Sequence, residues 1–230
     1  MSRPIWLVVP AAGQGRRMGG DRPKQYLPLA GRPIMAHTLE RLHQALPNAR
    51  LALCLDDGDA WFEPAWVAFT CWQRVTGGAE RMDSVLGALR AVPADDDDIV
   101  LVHDVARPCV SPDDVRALAR AADSDDGALL AMPVADTMKR ATPGGACART
   151  ESRAGLWHAL TPQGFRYGLL RRALERAAAG GLAVTDEASA VEALGRHPRL
   201  VGGRRDNLKV THPDDLALAG AILTAQNASL

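Results

Sequence analysis

The chain has 230 residues, 47% of them hydrophobic and 23% charged, which excludes a disordered or collagen-like polymer and allows one large core without disulfide or metal staples. Lys plus Arg and Asp plus Glu number 27 each. The formal charge is therefore zero, which excludes a broad one-signed field for nucleic acid or a membrane surface, so any anion site has to be a local cluster.

The predicted elements alternate along the chain. Ile5 to Val9, followed by Pro10, reads as a buried strand. It is too short for the core of a signal peptide and far below the ~20 residues that cross a bilayer, so a cytoplasmic protein is expected. Pro33 to Leu46 reads as a helix with Ile34, Leu39, Leu42 and Leu46 on one side. Leu51 to Leu55 is a second strand and Cys71 to Val75 a third; Glu80 to Ala91 is a helix with Val85, Leu86 and Leu89 facing in. The acidic run at 95–98 reads as a solvated loop, ahead of a buried strand from Ile99 to His103. Ser111-Pro112-Asp113-Asp114 offers an N-cap, a first-turn proline and first-turn acids, the features of a helix start. Ala128 to Val134 reads as a strand, Thr185-Asp186-Glu187 as another helix start, Leu200 to Gly202 and Leu208 to Val210 as short strands, and His212 to Asp215 as the start of the last helix.

Strands alternating with helices indicate the α/β class, with a Rossmann-like, mainly parallel sheet flanked by helices. Residues 136–152 break this rhythm. Two polar, β-prone pieces flank Pro143-Gly144-Gly145, which suggests a projecting hairpin arm. An isolated two-stranded arm is marginal in water, so it is expected to pack on something, a second subunit being the plausible support. Neither a repeat nor a linker divides the chain, so residues 1–230 are expected to form one domain that includes the arm. Because the chain ends at Leu230 just after the last helix, no fused second enzyme is expected.

Five stretches are candidates for chemistry. After the first strand, PAAGQGRRMGGDRPKQY combines Gly13, Gly15, Gly19 and Gly20 with Arg16, Arg17, Arg22 and Lys24. A Gly-rich, basic loop at the carboxyl end of a parallel strand suits a polyphosphate. It is no Walker A loop, lacking GxxxxGK[ST]. Nor is it a dinucleotide fingerprint, since Met18 stands at the third glycine and Gly31-Arg32-Pro33 where an acid belongs. Gly77-Gly78, with Ser84 in the following helix, either reads a base edge through backbone groups or simply makes a tight turn. In VHDVARP, Asp104 at a strand's carboxyl end suits a metal or a sugar hydroxyl, the plain alternative being a loop ion pair with Arg107. Arg153 precedes the stretch LWHALTPQGF at 156–165. Lys209, placed in an expected apolar strand, needs a partner such as a phosphate.

Other chemistries find little support. The six histidines show no metal-ligand spacing, and no GxSxG elbow occurs. Cys54, Cys71, Cys109 and Cys147 are too far apart for CxxC motifs and read as reduced thiols.

Taken in order, PAAGxGxRM, PKQY, GGxxRxxSV, VHDxARP, DTMK, LWxxxTPQ, TDEAS and NxKVT resemble the 2-C-methyl-D-erythritol 4-phosphate cytidylyltransferase family, from Pro10 to the last helix. The first motif is shared more loosely with other nucleotidyltransferases; LWHALTPQ and TDEAS are the specific ones. The resemblance implies a nucleotidyltransferase-type fold and a reaction in which CTP and methylerythritol 4-phosphate give the CDP-alcohol and pyrophosphate. It implies Mg²⁺ held mainly by the CTP phosphates, with no protein ligands, and a homodimer whose arms reach into the partner's site.

Roles follow position by position. Arg17 and Lys24 match the pair that stabilises the transition state at the α-phosphate. Ala11, Ala12 and Gly13, with Gly15 in the same loop, match the nucleotide loop, while Gly78 and Ser84 match the cytosine-reading positions. Asp104, Arg107, Thr137 and Thr161 match alcohol-phosphate contacts, and Arg153 and Lys209 the residues that position the attacking phosphate. Val105 and Ala79 depart from the family, which commonly has Ala at the first and in some members Asp at the second. Val105 either narrows the nucleotide wall or points away; Ala79 leaves base selectivity more to backbone groups. The nearest alternative is a cytidylyltransferase for a related polyol phosphate such as ribitol 5-phosphate, and the pocket around Thr137, Arg153 and Thr161 would separate the two.

Overall fold

The structure, a computed structural model, describes residues 3–13 and 22–228. In chain order its elements are β1 (Ile5–Pro10), β2 (Pro28–Leu29), β3 (Arg32–Pro33), α1 (Ile34–Ala45), β4 (Arg50–Leu55), β5 (Trp72–Thr76), α2 (Arg81–Ala91), β6 (Ile99–Val102), α3 (Pro112–Ala122), β7 (Ala128–Pro133), β8 (Met138–Ala141), β9 (Cys147–Glu151), β10 (Trp157–Arg166), α4 (Tyr167–Ala179), α5 (Glu187–Glu192), β11 (Arg199–Gly202) and α6 (Asp214–Ala228).

Apolar side chains alternate between the two faces of the central strands, and both faces are covered. Leu7 and Val9 of β1, Leu51, Leu53 and Leu55 of β4, and Ile99 and Leu101 of β6 share one cluster with Met35, Leu39 and Leu42 of α1 and Leu118 of α3. Trp6 and Val8, Ala52 and Cys54, Val100 and Val102 face the other way, against Val85 and Leu89 of α2 and Leu170 and Leu174 of α4. The period of two along each strand explains why these strands read as unbroken apolar runs. The seven-stranded sheet has the order β11-β7-β10-β6-β1-β4-β5. Its pairings are parallel except those of β10, which runs antiparallel to both β6 and β7. Because β1 has β4 on one side and β6 on the other, the winding reverses beside it and a crevice opens at the carboxyl ends.

Two expectations need correction. The segment 208–210 is not a strand: it runs beside the turn after β6, where the Val210 N–H donates to the Ala106 carbonyl at 2.8 Å. The acidic run is not wholly solvated. Asp98 is 6% exposed, because its carboxylate accepts from Trp6 Nε1 at 3.2 Å and from the Asp95 N–H at 3.2 Å. The stretch 156–165 belongs to β10, a strand that shifts register against β7 between Ala159 and Gln163, and α4 follows it at once.

The arm expected at 136–152 is present. β8 and β9 pair antiparallel in a sheet of their own, and most of their residues are exposed. Ser111 caps α3 as read, its side chain accepting the Asp113 N–H, and Asp186 caps α5, accepting the Ser189 N–H.

Candidate active site

A cavity of about 700 Å³ opens at the carboxyl ends of β1, β4, β5 and β6. Its lining includes Ala11, Ala12, Gly13, Lys24, Gly78, Arg81, Ser84, Asp104, Val105 and Lys209. Residues more than 180 positions apart in sequence, Lys24 and Lys209, therefore share one hollow. Gly15 and Arg17 lie outside the described residues. Val105 and Ala79 both line the cavity, while Val105 is 5% exposed and belongs to the buried apolar cluster of Leu7 and Leu101.

One part of the cavity depends on close backbone approach. Gly77 is required where the turn after β5 meets the loop after β1, since an added Cβ would lie 2.1 Å from the Ala12 Cβ. At Gly78 a Cβ would lie 2.3 Å from that of Asp83. The Ser84 hydroxyl accepts the Gly78 N–H at 3.0 Å and donates to the Glu80 carbonyl at 3.2 Å, so Ser84 sets the glycine turn from within α2. On the other wall, Gln25 is 2% exposed and donates to the Ala11 carbonyl at 2.7 Å, tying the loop after β1 to the turn that carries Lys24. Lys24 donates to the Val210 carbonyl at 3.2 Å.

Another part of the site is organised around Asp104, whose side chain is 8% exposed. Arg81 Nε lies 2.8 Å from one carboxylate oxygen, Lys209 Nζ 2.8 Å from the other, and Arg107 Nε 3.6 Å from the latter. Burial alone would raise the Asp104 pKa, but Arg81, Lys209 and Arg107 together hold the carboxyl well below the usual carboxylate range. Burial lowers the pKa of Arg107, with Asp104 opposing it. Arg81 also forks onto Glu187, at 2.6 and 3.0 Å, and Glu187 is 1% exposed. Burial acts to lower the Arg81 pKa, yet the two carboxylates raise it overall.

Beneath Asp104 lies His103, fully buried, whose pKa burial lowers to about 4. Its Nε2 faces the Arg107 carbonyl at 3.3 Å, an acceptor only, so Nε2 carries the proton. Nδ1 then accepts from the Thr161 hydroxyl at 3.1 Å, and that oxygen accepts the Asp104 N–H at 3.1 Å. Thr161 is 5% exposed, and its hydroxyl here holds the turn at Asp104. Asn207 extends the network: its amide donates to the Thr161 carbonyl at 2.8 Å, and Arg107 donates to the Asn207 carbonyl at 2.7 Å.

Four predicted contact residues do not line the cavity: Arg107 and Thr161 are buried in the network around Asp104, and two others stand apart from it. Thr137 and Arg153 are exposed at the base of the arm, Arg153 donating to the Ala135 carbonyl, and neither lines the cavity of its own chain. Several network residues are not singled out by the sequence as functional positions, although their letters occur within the quoted motifs. Arg81 lies in GGxxRxxSV, Gln163 in TPQ, Glu187 in TDEAS and Asn207 in NxKVT. Gln163 couples two of these motifs, donating to Asp186 at 2.8 Å and accepting the Ala188 N–H at 2.8 Å. Spacing alone carried no signal of which charge each would meet.

Comparison with known proteins agrees along nearly the whole length. Residues 5–225 match the family model described as 2-C-methyl-D-erythritol 4-phosphate cytidylyltransferase. A protein of that name from Chromohalobacter salexigens is 61% identical, covering 100% of this chain and 93% of its own length. One from Shewanella amazonensis is 52% identical, covering 98% and 95%. Among solved structures, the protein of the same name from Thermus thermophilus superposes with a TM-score of 0.79 at 36% identity, over 96% of this chain and 98% of that one. A 4-diphosphocytidyl-2C-methyl-D-erythritol synthase superposes with a TM-score of 0.84 at 34% identity, over 97% and 99%.

Proposed function

Because the chain belongs to the 2-C-methyl-D-erythritol 4-phosphate cytidylyltransferase family, we propose how its own residues divide that reaction between them. The protein is a nucleotidyltransferase: it joins CTP to 2-C-methyl-D-erythritol 4-phosphate, forming the CDP-alcohol and releasing pyrophosphate, in isoprenoid biosynthesis. The observation that carries the division of roles is the convergence of Lys24, Arg81 and Lys209 on one cavity that Gly13 and Gly78 also line.

The nucleophile is a phosphate monoester with a second pKa near 6, mostly a dianion at neutral pH, so no general base is needed. The obstacle is repulsion: two unit charges about 4 Å apart repel by roughly 4 kcal/mol at an effective dielectric near 20. Lys24, with Arg17, offsets charge that grows on the α-phosphoryl oxygens and the leaving pyrophosphate. Lys209, with Arg153, holds the incoming phosphate in line with the bond that breaks. The loop at Ala11 to Gly13 and the Gly78 turn flank the nucleotide.

Family membership implies Mg²⁺. The buried carboxylate of the site, Asp104, is already matched by three cations, so the ion fits best on the triphosphate oxygens. When bound there, it supplies charge neutralisation for the departing pyrophosphate.

The remaining parts of this reading concern assembly. Among the described residues no helix is long and apolar enough to cross a membrane, which accords with a cytoplasmic enzyme. A homodimer in which each exposed arm brings Thr137 and Arg153 to the partner's cavity accounts for polar residues that stand off their own. The test is pyrophosphate release with CTP against the other nucleoside triphosphates, and methylerythritol phosphate against ribitol phosphate. Preference for CTP and methylerythritol phosphate is expected; equal turnover of ribitol phosphate would overturn the substrate assignment.

A further inference from the structure

We propose that Arg81 is a positioning residue for the alcohol-phosphate half of the site, keeping Asp104 paired and fixed while the incoming phosphate draws Lys209 away. This rests on the reading above, in which Lys209 grips the substrate phosphate.

The two cations are held differently. Lys209 reaches Asp104 through a single ammonium contact of 2.8 Å, and its side chain is 40% exposed on the cavity wall. A flexible point charge of this kind can exchange one anion for another. Arg81 spans two carboxylates at once: Nε meets Asp104, while Nη1 and Nη2 take both oxygens of Glu187. Moving it would strand Glu187, which is 1% exposed and sits in the first turn of α5. That helix start is fastened in turn to β10 through Gln163.

A phosphate dianion carries more charge than a carboxylate, so it competes well for Lys209. Once Lys209 turns to substrate, Asp104 keeps Arg81 at 2.8 Å and Arg107 at 3.6 Å. The neighbouring His103 is neutral and adds no charge. Without Arg81, Asp104 either retains Lys209 or confronts the phosphate as an under-compensated buried anion. Either outcome weakens binding of the alcohol phosphate and leaves the nucleotide wall of Gly78 and Ala12 untouched.

The experiment compares wild type, Arg81→Gln, Arg81→Lys and Glu187→Gln in steady-state pyrophosphate release. It also follows the Asp104 carboxyl by carbon-13 NMR against pH, with and without the alcohol phosphate. Arg81→Gln is expected to raise the KM for the alcohol phosphate at least tenfold and the KM for CTP less than threefold. Its Asp104 should titrate in the ordinary carboxylate range and shift further upward when the phosphate binds, whereas in wild type it stays ionised throughout. Arg81→Lys should recover little, because one ammonium cannot bridge two carboxylates. Glu187→Gln should give an intermediate rise in the same KM.

Equal changes in both KM values, or an Asp104 titration unmoved by Arg81→Gln, would overturn the proposal. Should Arg81→Gln fail to fold, Glu187→Gln decides, and an unchanged alcohol-phosphate KM in that variant overturns it. Turnover of another polyol phosphate by the wild type would defeat the substrate assignment alone, since the KM split would then be read with that substrate and the NMR titration needs no turnover.

Discussion

Around Asp104 three cations converge on one carboxylate that is 8% exposed, and hydrogen bonds from β6, β10 and the 207–210 segment lock the arrangement from below. Along the arm, β8 and β9 pair only with each other, and Lys139, Arg140 and Arg149 stand in solvent. In the first region each position is over-determined by its own chain. In the second, the chain specifies a hairpin but not what it rests on. Disturbing the first should therefore cost stability and chemistry together, and disturbing the second chemistry alone.

The largest effect should come from Asp104→Asn. It leaves Arg81, Lys209 and Arg107 around a neutral amide, and breaking a buried charge set from one side costs about 3–5 kcal/mol. Urea denaturation checks this, and a loss under about 1 kcal/mol would mean the cluster is hydrated rather than locked.

Next is Lys24→Ala, expected to lower kcat by about 10²–10³, the scale of one preorganised charge donor. An inactive Lys24→Ala subunit mixed with an inactive Arg153→Ala subunit should regain activity, because one cavity of the heterodimer then has both groups. Failure to recover any would place Arg153 in its own chain's site and erase the contrast between cavity and arm.

A smaller effect concerns acid. The folded pKa of His103 is about 4, below the unfolded value of about 6.5, so the unfolded chain takes up the proton first. Stability from the neutral ring is therefore present above about pH 6.5 and is lost as pH falls towards 4, by roughly 2–3 kcal/mol. His103→Asn should flatten that part of the stability profile. Asp104, with its pKa depressed, loses its contribution only below about pH 3.9, a separate and later window.

The smallest effect is expected from Lys139→Ala on the arm, whose ammonium donates to Thr150 Oγ1 at 2.7 Å in solvent. Denaturation should shift by less than about 0.5 kcal/mol.

Much of the fold was legible because its local signals are strong. Leu51 to Leu55 has the apolar density of a strand buried on both faces, and Ser111-Pro112 carries a cap and a proline suited to the first turn of a helix. The strand β10 was harder. Its stretch Trp157 to Arg166 mixes exposed and buried residues and shifts register midway, so neither period of two nor of 3.6 stands out. Leu208 and Val210 flank Lys209 in the manner of a strand, yet those side chains pack with α6 while the segment pairs with no strand.

Sequence by itself determined the alternating α/β order, the hairpin at 136–152, and the residue types needed to bring anions together, because periodicity, turn chemistry and ordered motifs are encoded over short spans. Which cation answers which carboxylate was decided only by the tertiary structure. Arg81 meets Glu187 across 106 positions and Lys209 meets Asp104 across 105, and such pairings exist only once the sheet order has brought the strand ends together. Charge attraction acts over a few ångströms through space, and spacing along a chain carries no record of it.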